Sequence, residues 1–397
     1  MGGLMSGLRK VQEADVAGKT VLVRVDYNVP LKDGEVADDA RIEASLPTLR
    51  YLLEQRTKLV LMSHLGRPEG KVVPELRLDP VAKRLESIIG QPVKKLNDCV
   101  GPEVESEIAS GSLGEIFLLE NLRFHPEETT NEPNFARSLA ALGEVYVNDA
   151  FATLHRAHAS TVGVPDHLPA YAGMLVQREI EALSRLTDNP ARPYIAIIGG
   201  KKARSKLGAL RDLLDKVDEI LIGGGVAFTF LRAEGKDVGD SIVDEDLLDT
   251  IKELIRAAEE MEVKIVLPRD VVIAQEISET AETRTVPADK IPDGWMGLDI
   301  GPESIELFKE ELNKAKTIVW AGPMGAFEFS PFAEGTRAIG KALAASDAFT
   351  VVGGGETGEA VKKLGVADGI SYISTGGGAC LAILRGKKLP ALEALKE

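Results

Sequence analysis

Apolar residues recur along this chain in two alternating rhythms. Short continuous runs, which suit strands buried on both faces, are followed by stretches with apolar positions three and four apart, which suit amphipathic helices. Residues 21–25 read as a strand with Arg24 inserted, ending in Asp26-Tyr27-Asn28. Asp33-Gly34 within residues 31–38 predicts a hairpin. Ile42, Leu46, Leu49, Leu52 and Leu53 predict a helix opened by Arg41. The cycle repeats with strands at 59–62, 116–119 and 145–147, and with helices around Val81, Leu85, Ile88 and Ile89 (closed by Gly90) and around Phe135, Leu139 and Leu142 (closed by Gly143). Residues 162–173, with Pro165 and Pro169, read as a loop or boundary. Leu175, Ile180, Leu183 and Leu186 then predict one helix ending near Asp188-Asn189-Pro190. Beyond it come strands at 195–198, 220–222, 265–267, 317–320, 351–352 and 372–373. Alternation of strand and helix predicts the α/β class, with a parallel sheet in each half and the single helix as connector.

Parallel strands end on one edge of the sheet, where such folds bind ligands. In the first half that edge receives Asp26 and Asn28, His64 and Arg67, Arg123, and then Asn148, Asp149 and Arg156, with Arg41 opening the helix after the hairpin. One arginine is most simply a solvated charge. Several at the same topological position predict a cradle for a small, multiply anionic ligand, because guanidinium forks match carboxylate and phosphate oxygens. In the second half the strand ends are Gly199-Gly200-Lys201-Lys202, Gly223-Gly224-Gly225, Gly322-Pro323-Met324-Gly325, Gly353-Gly354-Gly355-Glu356-Thr357 and Ser374-Thr375-Gly376-Gly377-Gly378. Glycine turns leading into helices suit phosphate groups held against backbone N–H donors. Lys202 and Lys206, four apart, are expected on one face of a starting helix.

Composition narrows the class. The 397 residues suggest two or three domains, and 44% hydrophobic with 27% charged residues is ordinary for a globular protein. A net charge of −15 argues against nucleic acid or an anionic membrane as partner, so an anion site must be a local basic concentration. Two cysteines, Cys99 and Cys380, lie far apart and in no metal-ligand spacing, which suggests a reducing compartment. The five histidines form no zinc motif. No apolar run reaches transmembrane length, so a cytoplasmic protein is expected. Residues 1–7 are expected to lack order.

Two formal motifs fail on context. Gly353 to Gly358 matches G-x-G-x-x-G after a strand, but the next strand ends in Ser374 and Thr375, without the carboxylate a dinucleotide ribose requires. Gly335 to Lys341 matches the start of a P-loop, but Ala342 replaces the required hydroxyl, and Ala338, Ile339 and Leu343 fit an ordinary helix. An arginine-lined half and a glycine-lined half together predict phosphoryl transfer between a small acid and a nucleotide.

Nearly end to end, the chain resembles the phosphoglycerate kinase family. The resemblance is carried by Arg24 to Pro30, Ser63 to Pro68, Asp98 to Pro102, Glu120 to Phe124, Val147 to Phe151, His155 to His158, Gly223 to Phe230, Gly294 to Pro302 and Ser374 to Ala379. It implies two Rossmann-like domains, at 1–174 and 189–388, with a connecting helix at 175–188 and a tail, 389–397, folded back on the first. It implies a monomer that transfers the acyl phosphate of 1,3-bisphosphoglycerate to ADP, giving 3-phosphoglycerate and ATP, with Mg2+. By similarity Asp26, Asn28, Arg41, His64, Arg67, Arg123 and Arg156 bind phosphoglycerate. Lys206, Gly223, Gly224, Gly297, Leu298, Pro323, Glu328 and Gly354, Gly355, Glu356 and Thr357 hold the nucleotide. Arg41, Lys202, Gly354 and Gly355 serve the migrating phosphoryl group, and Glu356 the metal, directly or through water. The chain departs from the family pattern at Glu356 (usually Asp), Ala321 (often Asn), Ser205 (often acidic), Lys201 (usually small) and Ala152 (often Gly). These departures fall mainly on the nucleotide side and leave two readings, an active kinase with an altered nucleotide or metal site and a non-catalytic ligand-binding relative.

Overall fold

The computed structural model describes residues 3–397. Contacts divide the chain into two units, one of residues through Glu181 together with Lys388–Glu397, the other of Ala182–Lys387. The division falls within the helix Met174–Thr187.

The first unit carries a six-stranded, all-parallel sheet. Its spatial order is Val93–Lys95, Ile116–Leu118, Lys58–Met62, Thr20–Arg24, Val145–Asn148 and Ala170–Ala172. All five residues of Lys58–Met62 are buried, as expected where helices cover both faces of a parallel sheet. The chain reverses its winding at Thr20–Arg24: the following strand pairs on one side and Val145–Asn148 on the other. Register sets what meets at this edge. Arg24 lies opposite both Met62 and Asn148, so Asp26, His64 and Asp149 leave the sheet side by side.

Local signals hold where they are steric. Asp33 and Gly34 take positive φ (53° and 78°) between strands Leu31–Lys32 and Glu35–Val36, giving the predicted hairpin. The helix Asp79–Ile89 stops at Gly90, left-handed at φ 80°. Residues 162–173 differ from their reading as a loop or boundary: a turn at Ala159–Gly163 leads to an edge strand, Ala170–Ala172, three residues too short to show a period between Pro169 and Gly173. Asp149 Oδ1 accepts a hydrogen bond from Leu175 N at 2.9 Å, capping the helix Met174–Thr187 that follows. Near the N-terminus, Ser6 N bonds to Gly3 O at 2.9 Å, so residues 3–7 form a turn; the expectation of disorder at residues 1 and 2 lies outside the described residues. The C-terminal residues return to this unit, with Arg9 N on Leu395 O at 3.0 Å and Ala391 N on Leu154 O at 3.1 Å.

The second unit has a parallel sheet in the order Lys264–Val266, Glu219–Ile222, Tyr194–Ile198, Thr317–Ala321, Phe349–Val352 and Tyr372–Ile373. This is the 3-2-1-4-5-6 order of doubly wound nucleotide-binding folds, with its switch point between Tyr194–Ile198 and Thr317–Ala321. A separate antiparallel sheet of Asp270–Ala274, Arg284–Pro287 and Met296–Ile300 is added, which the sequence pattern did not predict. Its core packs Phe228, Leu231 and Trp295 against Val271 and Ile273.

Candidate active site

In the first unit, arginines converge on His64. Arg24, only 1% exposed, occupies the back of the group. Its Nε donates to Ser160 Oγ at 2.9 Å, its Nη1 to Val25 O, and its Nη2 lies 3.1 Å from His64 Nδ1. Guanidinium can only donate, so His64 Nδ1 is the acceptor and the imidazole proton sits on Nε2. Burial, then the charges of Arg24, Arg123, Arg156 and Arg41, hold the His64 pKa well below its usual value, so the ring is neutral at pH 7. Asp26, 7% exposed, accepts from Arg41 Nη1, and Asn28 Oδ1 accepts from Gly66 N at 2.8 Å. Arg123 Nη1 donates to Gly66 O at 2.7 Å, fixing one edge of its fork. Burial, then Arg156 and Arg24, push Arg123 down to about 10. Nη1 of Arg156 is buried without a hydrogen-bond partner among the described residues. Arg67 is exposed, with its charge close enough to lower the pKa of Arg156.

Clustered cations repel, and only ligand anions or carboxylates offset them. Behind the cradle Glu128, fully buried, accepts from Ser160 N at 2.9 Å and Ser160 Oγ at 2.6 Å, and its carboxyl is held below the usual range despite burial by His158, Arg24 and Ser160. Arg24, Glu128 and Ser160 were missed as site residues by the reading of strand ends. The available signal was Arg24 itself, a charge inside an apolar strand.

In the second unit the glycine turns line the switch-point edge. Gly322, at φ 102°, packs so closely that a Cβ would stand 2.2 Å from Gly199 O. Gly200 N donates to Pro323 O at 2.8 Å, Gly223 N to Ile198 O at 2.9 Å and Gly224 N to Met324 O at 3.1 Å. The N–H groups of Gly223 and Gly224 are therefore committed, and these residues contribute close approach instead of donors. The helix Gly355–Lys363 differs. Gly354, at φ 104°, precedes it with no side-chain cap, leaving the first-turn N–H groups open, as at anion-binding helix starts. A Cβ on Gly355 would meet nothing within 4 Å. Thr357 is buried, and its Oγ1 accepts from Gly322 N at 2.7 Å, tying this turn to the neighbouring one.

Lys206 is half-buried; desolvation lowers its pKa, and the nearby Glu356 carboxylate raises it. Glu356 and Lys202 are exposed, with no hydrogen bond or ion pair of either side-chain head group among the described residues. Lys202 and Lys206 do not share the face of one helix. Ala203–Ser205 is a 3-10 turn and the α-helix begins at Leu207, so Lys202 precedes it in extended conformation. Gly297 is buried under Phe228, Leu298 accepts from Ala326 N at 2.9 Å, and Glu328 is exposed. A cavity of about 480 Å3 lies away from both groups, beside the hairpin, where Lys83 and Arg84 pair with Glu35 and Asp39.

A doubly wound unit with a cationic cradle and a second with open helix N–H groups at its switch point together define a phosphotransferase of the α/β class. The sequence model described as phosphoglycerate kinase matches residues 11–387. The chain is 55% identical to the phosphoglycerate kinase of Moorella thermoacetica over 98% of both chains, and 53% identical to that of Pelotomaculum thermopropionicum over the same shares. Its structure superposes on the phosphoglycerate kinase from Coxiella burnetii with a TM-score of 0.86 at 39% identity, and on that from Pyrococcus horikoshii OT3 with 0.87 at 35%, each covering 98% of both chains. The chain belongs to the phosphoglycerate kinase family.

Proposed function

We propose that the arginine cradle holds phosphoglycerate and that the Gly354–Thr357 turn holds the nucleotide phosphates, in the glycolytic reaction of the family. That reaction moves the acyl phosphate of 1,3-bisphosphoglycerate to ADP, reversibly, giving 3-phosphoglycerate and ATP. The observation that carries the assignment is the convergence of Arg24, Arg41, Arg123 and Arg156 on a neutral His64, with Asp26 the carboxylate among them. Asp26 orients Arg41, while His64 Nε2–H and the forks of Arg67, Arg123 and Arg156 meet substrate oxygens. Asn28 holds the Gly66 turn. On the nucleotide side, Lys206 and the N–H groups of Gly355, Glu356 and Thr357 take phosphate oxygens. Gly297, Leu298, Pro323, Gly223 and Gly224 shape the base pocket, and Glu328 takes the ribose.

Phosphoryl transfer needs alignment and charge cancellation, with little covalent work by side chains. Arg41 and Lys202 cancel charge on the transferring group, and the reaction requires water to be excluded from it. Glu356 offers an exposed oxygen ligand at the helix start, which fits a hard cation. With the nucleotide phosphates it would hold Mg2+, directly or through water. Bound there, Mg2+ supplies charge neutralisation to the phosphate chain. We read the protein as a cytoplasmic monomer without nucleic-acid or membrane partners, consistent with its net charge of −15. Among the described residues no helix is long and apolar enough to cross a membrane.

Steady-state kinetics of Lys202→Ala and Arg67→Gln, with ATP formation coupled to a chromogenic reaction, test the assignment. Lys202→Ala is expected to lower kcat with little change in either KM, and Arg67→Gln to raise KM for 1,3-bisphosphoglycerate alone. Unchanged kcat in the first, or unchanged KM in the second, overturns the corresponding role.

A further inference from the structure

We propose that Asp98, Cys99 and His125 form a binding site for a thiophilic divalent cation of the zinc class, separate from the substrate cradle. Two neighbouring strands build it. Val93–Lys95 and Ile116–Leu118 run in parallel with Lys95 opposite Leu118, so the chain leaves both at the same edge. The first exit runs through Leu96 to Asp98 and Cys99. The second runs through the turn Leu122–Phe124 to His125. Leu96 N on Leu118 O at 2.8 Å and Glu120 N on Asp98 O at 3.3 Å hold the two exits together.

One ligand atom from each of the three side chains lies within 4.8 Å of the other two. His125 Nε2 and Asp98 Oδ1 are 2.7 Å apart, and the same oxygen accepts from Cys99 N at 2.7 Å. Stacking on Phe135, at 5.2 Å between centroids, sets the His125 ring, and burial sets Cys99. Zinc held at about 2.0–2.3 Å from sulfur, nitrogen and oxygen needs those donors roughly 3–4 Å apart. Side-chain rotation of about 1 Å closes that difference. Thiolate, imidazole and carboxylate together are a zinc-class donor set, and three protein ligands leave a fourth position for water. On binding, the thiol proton and the proton between His125 Nε2 and Asp98 pass to solvent, and the cation takes their place. Thiolate and carboxylate then balance its two charges, and Glu127 and Glu128 act on His125 and Cys99 as further negative charge nearby. A cavity of about 390 Å3 bounded by Asn97, Asp98, Val100 and Gly101 gives solvent access on the Asp98 side. The occupied site would staple the loop at Asp98 to the turn that carries Arg123.

The test is titration of the full-length, reduced protein with Co2+ in the absence of nucleotide and phosphoglycerate. Expected are saturation at one equivalent, a near-ultraviolet thiolate-to-cobalt band with tetrahedral visible bands, and displacement of both by Zn2+. Cys380→Ser should retain the band and Cys99→Ser should lose it. Asp98→Asn and His125→Gln, at less buried positions, should weaken binding by about tenfold or more. Absence of a thiolate band in the unaltered protein, its survival in Cys99→Ser, or its loss in Cys380→Ser would overturn the proposal.

Discussion

Replacing Gly355 by alanine separates what the proposed nucleotide turn costs the protein from what it gives the ligand. In the protein alone the added methyl meets nothing within 4 Å, and Gly355 is the first residue of its helix at an ordinary φ. Alanine restricts the unfolded chain and favours the helix, a gain of up to about 1 kcal/mol. For a unit of this size the unfolding midpoint should stay level or rise by about 1–4 °C. With nucleotide bound the sign reverses. A phosphate on the first-turn N–H groups fills the open space in front of Gly355, and a methyl there opposes it by about 1–3 kcal/mol, as in overpacking. Because 1.4 kcal/mol is tenfold, KM for ADP should rise about 5- to 150-fold. KM for 1,3-bisphosphoglycerate should not change. Differential scanning fluorimetry on the free protein and the coupled ATP assay measure the two sides. An ADP KM within twofold of the parent's, with a normal melting point, would refute the placement of nucleotide phosphates on this turn. A falling melting point would refute the reading that the space is open.

At Gly297 the opposite steric case holds: a Cβ would stand 2.0 Å from Phe228 Cζ, so Gly297→Ala should cost about 1–3 kcal/mol, and Phe228→Leu should restore part of it in a double-mutant cycle; additive effects on the melting point would contradict this. Glu356→Gln keeps size and removes charge, so the Mg2+ concentration for half-maximal activity should rise several-fold while phosphoglycerate affinity holds; an unaltered Mg2+ dependence would remove Glu356 from the metal's surroundings. Burial raises Asp149 from 3.8 to about 6, against pulls from Thr48 and the Leu175 and Val176 N–H groups. Its folded pKa exceeds its unfolded value, so the associated stability is present below about pH 4 and lost as pH rises through 6, about 3 kcal/mol for a two-unit shift. Asp149→Asn should therefore gain on the parent in urea midpoint between pH 4 and 7, and parallel curves would show that the carboxylate ionises without penalty.

Much of the architecture was legible because it rests on local chemistry. Continuous apolar runs, period-3.6 patterning, Asp33-Gly34 and Gly90 each act within a few residues, and parallel pairing then forces the ends of the paired strands to one edge. That rule alone gathered Asp26, His64, Arg123 and Arg156. It failed where pairing involves few residues, as at Val93–Lys95 and Ala170–Ala172, or where an antiparallel insertion interrupts the alternation, as at Asp270–Ile300. It also overextended the helix at Lys202, because two lysines four apart fit a helical face equally well when the first precedes the helix.

The sequence by itself determined the class, the alternation of the longer strands and helices and which residue types reach each sheet edge, since all follow from hydrophobic patterning and chain direction. Tertiary structure decided how those residues are used. Only register and burial make Arg24 the donor that fixes the tautomer of His64, commit the Gly223 and Gly224 N–H groups while leaving the Gly355 turn open, and bring His125 to Asp98 and Cys99. Hydrogen-bond commitment and desolvation depend on neighbours distant in sequence, and those exist only once the chain has packed.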